Sequence, residues 1–173
     1  MLQFYKMAKI SLILIITFFL TQKLNSTEIY GTPKIIDGDS VHIKNKKIRL
    51  EGIDAPEIKQ QCKKPFLKIS TIIGFEFNKN YSCGKISKIK LINKIGSTKI
   101  KCISSSKDRY KRYLSTCYKD KINLNKWMVR NGYAVAYRRY SKAYVRDEEY
   151  AKENKLGMWK GSFIMPEKWR KLN

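Results

Sequence analysis

Acidic side chains gather in one short stretch of a chain that is otherwise strongly basic. The chain has 173 residues, with 37 lysine and arginine residues, 14 aspartate and glutamate residues and a formal net charge of +23. Five of the acids fall within 21 residues. Carboxylates collected against the prevailing charge supply the oxygen ligands that a hard cation such as Ca²⁺ or Mg²⁺ requires. A solvated acidic turn that pairs with nearby lysines is the alternative that composition leaves open. The five acids are Asp37, Asp39, Glu51, Asp54 and Glu57.

The composition excludes several other kinds of chemistry. The chain has a single histidine, His42, so metal sites with two or three histidines and most histidine-based nucleophilic sites lack their residues. No nucleotide-binding glycine motif occurs, and no apolar run reaches the roughly 18 residues of a membrane span. The high positive charge instead favours an anionic partner, which could be nucleic acid, an anionic membrane or an acidic glycan.

The elements that must position the acids are strands. Residues 29–51 alternate apolar and polar positions, which predicts strands with one face in a core. Arg49 has the opposite parity to its apolar neighbours, so its side chain leaves the core on the other face. The segment Asp54-Ala55-Pro56 predicts a bend, because the residue before proline is disfavoured in a helix. The core candidates are Ile35, Val41, Ile43, Ile48 and Leu50.

The rest of the chain predicts a mixture of helices and a hairpin. Residues 58–82 are rich in lysine and predict an irregular insertion. Isoleucines at steps of three predict an amphipathic helix over 84–95, and a hairpin is predicted over 98–118. Two further helices are predicted at 124–131, capped by the residue before it, and at 143–155. This order predicts a small α+β domain, with a five-stranded barrel and helices packed beside it.

The four cysteines predict two disulfides if the chain is exported. They are spaced 21, 19 and 15 residues apart without a C-x-x-C motif, which disfavours a zinc site. Sequence alone allows three pairings. The predicted hairpin register places Cys102 opposite Cys117, which leaves Cys62 to pair with Cys83. Four free buried thiols in a reducing compartment are the alternative.

The N-terminal segment predicts export. Residues 1–26 place two lysines before an apolar run of 11 residues at 10–20, which is typical of a secretory signal peptide and too short for a spanning helix. An uncleaved anchor or a buried apolar helix is the alternative. Removing this segment would take away three lysines and no acid, lowering the formal charge from +23 to +20. We therefore expect one domain over 27–173 in a periplasmic or secreted protein, or a membrane-anchored protein facing outside the cytoplasm.

Three segments together resemble the signature of a known family. They read I-I-D-G-D-S-V at 35–41, R-L-E-G-I-D-A-P-E at 49–57 and D-R-Y-K-R at 108–112. Their order and separation are similar to those of the staphylococcal-nuclease-like (thermonuclease) family, in particular to a disulfide-bearing branch of exported bacterial proteins. The resemblance covers roughly residues 33–160. It continues through W-M-V-R-N-G-Y-A at 127–134 and L-G-M-W at 156–159.

The resemblance implies an enzyme. The implied activity is a Ca²⁺-dependent phosphodiesterase (endonuclease) that cuts DNA and RNA with little sequence or sugar specificity. The implied fold is an OB-fold barrel of five strands with about three helices. A monomer without an obligate protein partner is expected. The alternative is a catalytically inactive OB-fold protein that binds nucleic acid.

Four positions match the family's metal site. The resemblance implies that Asp39 and Asp54 are the Ca²⁺ carboxylates and that Ala55 contributes its backbone carbonyl. It implies that Asp37 does not bind the ion directly but supports the residues that do.

Three further positions match the family's catalytic residues. The resemblance implies that Glu57 is the general base toward the attacking water, and that Arg49 and Arg112 hold the phosphate and its developing charge. A planar guanidinium suits phosphate oxygens better than an ammonium group does. The chain has 8 arginines against 29 lysines, so arginine at both positions is independent support for this role.

The expected substrate contacts lie on the hairpin turn and after the second helix. The resemblance implies that Arg109, Tyr110 and Tyr137 contact the phosphates and base of a bound nucleotide. Lys111 departs from the family pattern, because it stands where the family usually has a glycine. Lysine tolerates a positive φ poorly, so this departure bears directly on the position of Arg112.

Overall fold

A curled, mainly antiparallel sheet lies at the centre of the fold. The computed structural model describes residues 26–68 and 76–173, so the predicted signal peptide lies, apart from its last residue, outside the described residues. The strands are β1 (Thr27–Gly31), β2 (Pro33–Ile35), β3 (Ser40–Ile43), β4 (Lys46–Leu50), β5 (Ile53–Asp54), β6 (Cys62–Lys68), β7 (Glu76–Tyr81), β8 (Ile100–Lys107), β9 (Tyr113–Lys119), β10 (Ile122–Asn123) and β11 (Val135–Ala136). The helices of the described residues are α1 (Cys83–Ile95), α2 (Leu124–Arg130), α3 (Val145–Glu153) and α4 (Pro166–Leu172), with a 3₁₀ turn at Gly157–Lys160.

The sheet has the strand order β1-β8-β9-β4-β3-β2, and β10 extends it beside β9. The pairing of β4 with β9 is parallel, and the other pairings are antiparallel. β1 also contacts β3, so the sheet curls into a half-barrel. Two small sheets, β5 with β11 and β6 with β7, flank it. The predicted α+β class with an OB-like sheet is confirmed.

The predicted core face is confirmed with one exception. Val41, Ile43, Ile48 and Leu50 are buried, as the alternation in β3 and β4 predicts. Ile35 is only partly buried and packs against the edge of this cluster. The short strand β2 is at the end of the sheet order, which explains its weaker coverage.

Helix α1 exists where it was predicted, but its buried face was predicted wrongly. Ile86, Ile89 and Ile92 are 37, 50 and 40% exposed, and only Ile95 of that series is buried. Each step of three residues turns about 60° short of a full circle, so four such residues cannot share one face. The buried face follows steps of four instead. Its members are Cys83, Ser87, Leu91 and Ile95, with Gly84 beside them.

The segment predicted to be irregular forms a hairpin. β6 and β7 pair antiparallel from Cys62 opposite Tyr81 to the far end of both strands. Residues 69–75 of this segment lie outside the described residues. Lys63 pairs through its backbone with Ser162, at 2.9 and 3.1 Å, so the hairpin base is tied to the C-terminal segment.

Both predicted disulfides are present. Cys102 and Cys117 lie directly opposite in β8 and β9 and are bonded. Cys62 is bonded to Cys83, which joins the hairpin base to the start of α1. The hairpin register therefore identified the correct pairing of the three that sequence allowed.

No helix within residues 26–68 and 76–173 has the length and apolar character needed to cross a membrane.

The helices α2 and α3 contact each other and the strands β9 and β11. Asn123 caps α2, as predicted, by accepting a hydrogen bond from the backbone N–H of Lys126 at 2.9 Å. Helix α3 is shorter than the predicted 143–155. Its Glu148 is fully buried and accepts hydrogen bonds from the Ala136 N–H at 3.1 Å, the Lys152 ammonium at 2.8 Å and the Arg138 guanidinium. This carboxylate connects α3 to β11.

We expect Glu148→Ala to lower the free energy of unfolding by about 2 kcal/mol. The substitution removes the acceptor of a buried backbone N–H and leaves a cavity, whereas both cationic partners regain water. Glu149→Ala is the matched control, because that side chain is exposed on the same helix. Urea denaturation of both variants measures the difference, and an equal effect of the two would contradict this role.

Candidate active site

Asp39 holds together the two acidic loops. It is 2% exposed and begins the turn into β3. Its backbone N–H donates to the Asp37 carboxylate at 3.0 Å, and one carboxylate oxygen accepts the Ala55 N–H at 2.6 Å. The hydroxyl of Ser40 donates to the other oxygen at 3.1 Å. The loop before β3 and the loop after β5 are therefore fixed to each other through one carboxylate.

Arg49 bridges the two buried acids. Its guanidinium donates to Asp39 and, at 2.9 Å, to Asp54, which is only 1% exposed. The parity of β4 explains the geometry, since Ile48 and Leu50 point into the core and Arg49 points to the opposite face. Burial lowers the pKa of the Arg49 guanidinium, and the negative charge of Asp54 opposes that shift. The result is a buried cluster of two carboxylates and one guanidinium.

Glu57 follows Asp54 by three residues and lies in a turn fixed by Gln60. The fully buried Gln60 accepts the Glu57 N–H at 3.3 Å through its side-chain oxygen and donates to the carbonyl of Ile164 at 2.6 Å. The Gln60 backbone N–H closes the turn onto the Glu57 carbonyl at 2.8 Å. The Glu57 side chain itself is about one-third exposed, at 34%.

Small residues allow α1 to approach both loops. A Cβ added to Gly84 would lie 1.7 Å from the carbonyl oxygen of Glu57. A Cβ added to Gly38 would lie 2.0 Å from the hydroxyl oxygen of Ser87 and 2.7 Å from the Cβ of Ala55. Contacts this short exclude any side chain at either glycine without movement of the backbone. The buried face of α1 thus sets how closely the acidic loops can pack.

Arg112 is positioned by Asp108 in the turn between β8 and β9. The Asp108 carboxylate accepts the Arg112 Nε–H at 2.7 Å and the backbone N–H groups of Arg112 and Tyr110, both at 2.9 Å. Burial alone would raise the pKa of Asp108, but these hydrogen bonds hold that pKa below its usual value. Lys111 has φ = 60°, so the turn does require a left-handed residue. The charge of Arg112 contributes to lowering the pKa of Arg49. Arg112 immediately precedes Tyr113, which pairs with Ile48 where β9 runs beside β4.

The predicted nucleotide-contact residues lie on two separate elements. Tyr110 is 62% exposed, and the guanidinium carbon of Arg109 lies 4.8 Å from its ring centre. Tyr137 follows β11 and is partly buried. Burial, together with the carboxylates of Glu167 and Asp54, raises the pKa of Tyr137. The Tyr137 backbone N–H donates to the Gly52 carbonyl at 2.9 Å, and β11 pairs with β5, so this residue lies on the side of the site that holds Asp54.

An arginine that the sequence did not indicate also enters the site. Arg170, on α4, donates to both oxygens of Asp54 at 3.0 Å and to Glu57 at 2.9 Å. Burial alone would lower the pKa of Arg170, but its hydrogen bonds to the two carboxylates raise that pKa above its ordinary value. The residue lies outside the 33–160 range of the resemblance, so no motif could have marked it.

The carboxylates have the donor chemistry that Ca²⁺ prefers. Asp39 and Asp54 offer only oxygen atoms and meet on one arginine. Within residues 26–68 and 76–173, no three histidine, cysteine or acidic side chains converge closely enough to hold a metal ion. The guanidiniums of Arg49 and Arg170 each bridge two of the carboxylates. The donor atoms suit a hard cation, but in this arrangement the charge of the carboxylates is balanced by arginine.

Comparison with known proteins identifies the family. The model of the family described as "Staphylococcal nuclease homologue" matches residues 47–161, about two thirds of the chain. The chain belongs to the staphylococcal nuclease homologue family. The predicted enzyme class, a hydrolase of the nuclease type, is therefore confirmed.

Relatives support this assignment. An "Uncharacterized endonuclease" of Haemophilus influenzae is 32% identical over 146 residues, covering 80% of this chain and 70% of that protein. The succinoglycan biosynthesis protein ExoI of Rhizobium meliloti is 30% identical over 135 residues, which are 76% of this chain and 65% of that protein. The rice protein named "Probable staphylococcal-like nuclease CAN2" is 28% identical over 136 residues, covering 77% of this chain. The chain spans 31% of the rice protein, so it corresponds to only part of that relative.

The staphylococcal nuclease homologue fold brings most of the predicted site residues together. Arg49 contacts both Asp39 and Asp54, and Arg170 links Asp54 to Glu57, which completes a continuous series of carboxylates and guanidiniums. Their individual roles stay predictions. Sequence reasoning missed the residues that fix this series from outside the motifs. These are Gln60, Gly84 and Arg170.

We expect Gly84→Ala to destabilise the protein by about 2 kcal/mol, because the new methyl group overlaps the Glu57 carbonyl. Helix propensity alone predicts the opposite sign, since alanine in a helix is favoured over glycine by about 1 kcal/mol. Lys85→Ala, on the exposed face of the same helix, should change stability by less than about 0.5 kcal/mol. Denaturant unfolding measures both, and a stabilised Gly84→Ala variant would contradict the tight approach.

We expect Lys111→Gly to raise the free energy of unfolding by about 0.5–1 kcal/mol, because glycine adopts φ = 60° without strain. Lys121→Gly is the control: that lysine is also exposed in a turn but does not have a positive φ. The control should lose about 0.5 kcal/mol through the greater entropy of the unfolded chain. Thermal unfolding distinguishes the two, and a loss of equal size in both variants would refute strain at Lys111.

Proposed function

We propose that this protein is a Ca²⁺-dependent phosphodiesterase that hydrolyses DNA and RNA with little sequence or sugar specificity. The observation that carries the proposal is the buried series in which Arg49 bridges Asp39 and Asp54 with Glu57 adjoining. This arrangement places oxygen ligands suited to a hard cation beside a guanidinium suited to a phosphate. Family membership supports the reaction class.

The two arginines are assigned to the phosphate. A phosphodiester under attack by water gains negative charge on its equatorial oxygens, and fixed guanidiniums can stabilise that charge without reorganising. Arg49 is held rigidly by two carboxylates, while Arg112 is held by Asp108 and remains about one-third exposed. Arg112 is therefore free on one side to meet a substrate. Loss of either guanidinium should cost a few kcal/mol of barrier, on the scale of other oxyanion stabilisers.

Glu57 is assigned as the general base. Its carboxylate is partly exposed, whereas those of Asp39 and Asp54 are buried, so it is the member of the series that water can reach. A bound Ca²⁺ on Asp39, Asp54 and the Ala55 carbonyl would polarise the phosphate oxygen and lower the pKa of a nearby water. Asp37 holds the N–H of Asp39 and so keeps that carboxylate in place.

Substrate binding is assigned to the surface around the series. Arg109 and Tyr110 stand on the exposed turn, and Tyr137 lies on the Asp54 side, where rings can stack on bases. The net charge of +23 adds an attraction to phosphates that weakens with salt and does not depend on base sequence. Both features support broad specificity for single and double strands.

We also propose that the protein acts outside the cytoplasm, in the periplasm or after secretion. All four cysteines are paired in disulfides, which persist in oxidising compartments. The predicted signal peptide supports the same location.

The proposal is tested by digestion of single- and double-stranded DNA and RNA with Ca²⁺ and then with excess chelator. We expect cleavage of all four substrates that stops when Ca²⁺ is removed. Binding without cleavage, unchanged by chelator, would instead indicate the inactive OB-fold binder.

We expect Glu57→Gln and Arg112→Ala each to lower kcat by about 10²–10³-fold while leaving nucleic-acid binding nearly unchanged. Glu149→Gln and Arg146→Ala are the matched controls, because both side chains are exposed on α3, outside the carboxylate series. Single-turnover cleavage and fluorescence anisotropy measure the two effects. Near-normal turnover in either site variant would refute the assigned role of that residue.

A further inference from the structure

The C-terminal helix α4 places a cation inside the carboxylate series. Arg170 contacts both oxygens of Asp54 and one oxygen of Glu57, with N–O distances of 3.0, 3.0 and 2.9 Å. A guanidinium–carboxylate pair is strongest when two parallel hydrogen bonds join the two groups. Since Arg49 also donates to Asp54, both oxygens of Asp54 are engaged by arginine.

The approach of Arg170 is built into the fold. The segment before α4 is held by the buried side chain of Gln60, which donates to the Ile164 carbonyl at 2.6 Å. Ser162 pairs through its backbone with Lys63, and Pro166 is buried at the first turn of the helix. Gln60 also fixes the turn that carries Glu57. One side chain thus positions both partners of the Arg170–Glu57 pair.

These fixed contacts lie at or before the start of α4, one turn or more from Arg170. The helix has seven residues, and the Arg170 side chain is about one-third exposed. Its guanidinium can therefore leave Asp54 and enter water while the start of the helix stays docked.

We infer that Arg170 competes with a divalent cation for the carboxylates of Asp54 and Glu57 and so sets the metal affinity of the site. This inference rests on the proposed function. A hard cation needs a free oxygen of Asp54, and both are taken by guanidinium N–H groups. Arg49 and Arg170 share Oδ1 of Asp54, whereas Oδ2 is held by Arg170 alone, so a cation that binds Oδ2 must displace Arg170. The apparent association constant for the metal is the intrinsic constant multiplied by the fraction of molecules in which Arg170 has left the site.

The test is calorimetric titration of Ca²⁺ into the purified full chain without nucleic acid. We expect Arg170→Gln to raise the Ca²⁺ association constant about tenfold or more. Arg139→Gln is the matched control. Arg139 pairs with Glu167, which lies on α4 as Arg170 does, but Arg139 does not contact Asp54 or Glu57. It should change the constant by less than about twofold. Asp54→Asn should abolish binding.

The outcomes separate this inference from the proposed function. If Asp54→Asn abolishes Ca²⁺ binding but Arg170→Gln leaves it unchanged, the metal site stands and competition by Arg170 is refuted. If the unsubstituted chain and Arg170→Gln both fail to bind Ca²⁺, the inference and the metal dependence of the proposed function fail together.

A second measurement follows Arg170 in the unsubstituted chain. The ¹⁵N guanidinium resonance of Arg170, assigned with Arg170→Lys as the reference, should shift as Ca²⁺ is added to the unsubstituted chain. A resonance that stays fixed while Ca²⁺ binds would overturn the inference.

Discussion

The buried contact of Arg49 with Asp39 and Asp54 is the interaction on which the rest of the site depends. Both acids are almost inaccessible to water, and a buried carboxylate without a partner would be strongly unfavourable. Arg49 supplies the partner because β4 turns it away from the apolar core. The Ala55 N–H adds a hydrogen bond that fixes the second loop to Asp39. The same contact that stabilises the two loops therefore also assembles the groups suited to bind a cation and a phosphate.

A steric constraint at α1 acts together with this electrostatic one. The loops reach their positions because Gly38 and Gly84 bring backbone and helix closer than any side chain allows. The disulfide between Cys62 and Cys83 holds the helix start beside the Glu57 turn. The inner face of α1 is small where the loops pack, at Cys83, Gly84 and Ser87, and the larger Leu91 and Ile95 follow farther along the helix.

Local patterns in the sequence predicted the parts of the structure that depend on local geometry. Alternation located β3 and β4, the hairpin symmetry paired Cys102 with Cys117, and the cap at Asn123 marked the start of α2. The acids and arginines of the motifs were expected to meet. Arg49 contacts Asp39 and Asp54, whereas Glu57 joins them only through Arg170. Contacts between distant segments could not be read in this way. Gln60 joins Ile164 across 104 residues and Arg170 joins Asp54 across 116, and no periodicity or composition marks either pair.

The central claim is that the Asp39–Arg49–Asp54 cluster is where Ca²⁺ and a phosphodiester meet. A crystal structure of the protein grown with Ca²⁺ and a short oligonucleotide carrying a non-hydrolysable phosphate tests it most directly. The account predicts Ca²⁺ at about 2.3–2.6 Å from oxygens of Asp39 and Asp54. It also predicts a phosphate within hydrogen-bond distance of Arg49 and Arg112, and Arg170 released from Asp54. Ca²⁺ bound elsewhere, or a phosphate seated away from both arginines with Arg170 still on Asp54, would contradict it.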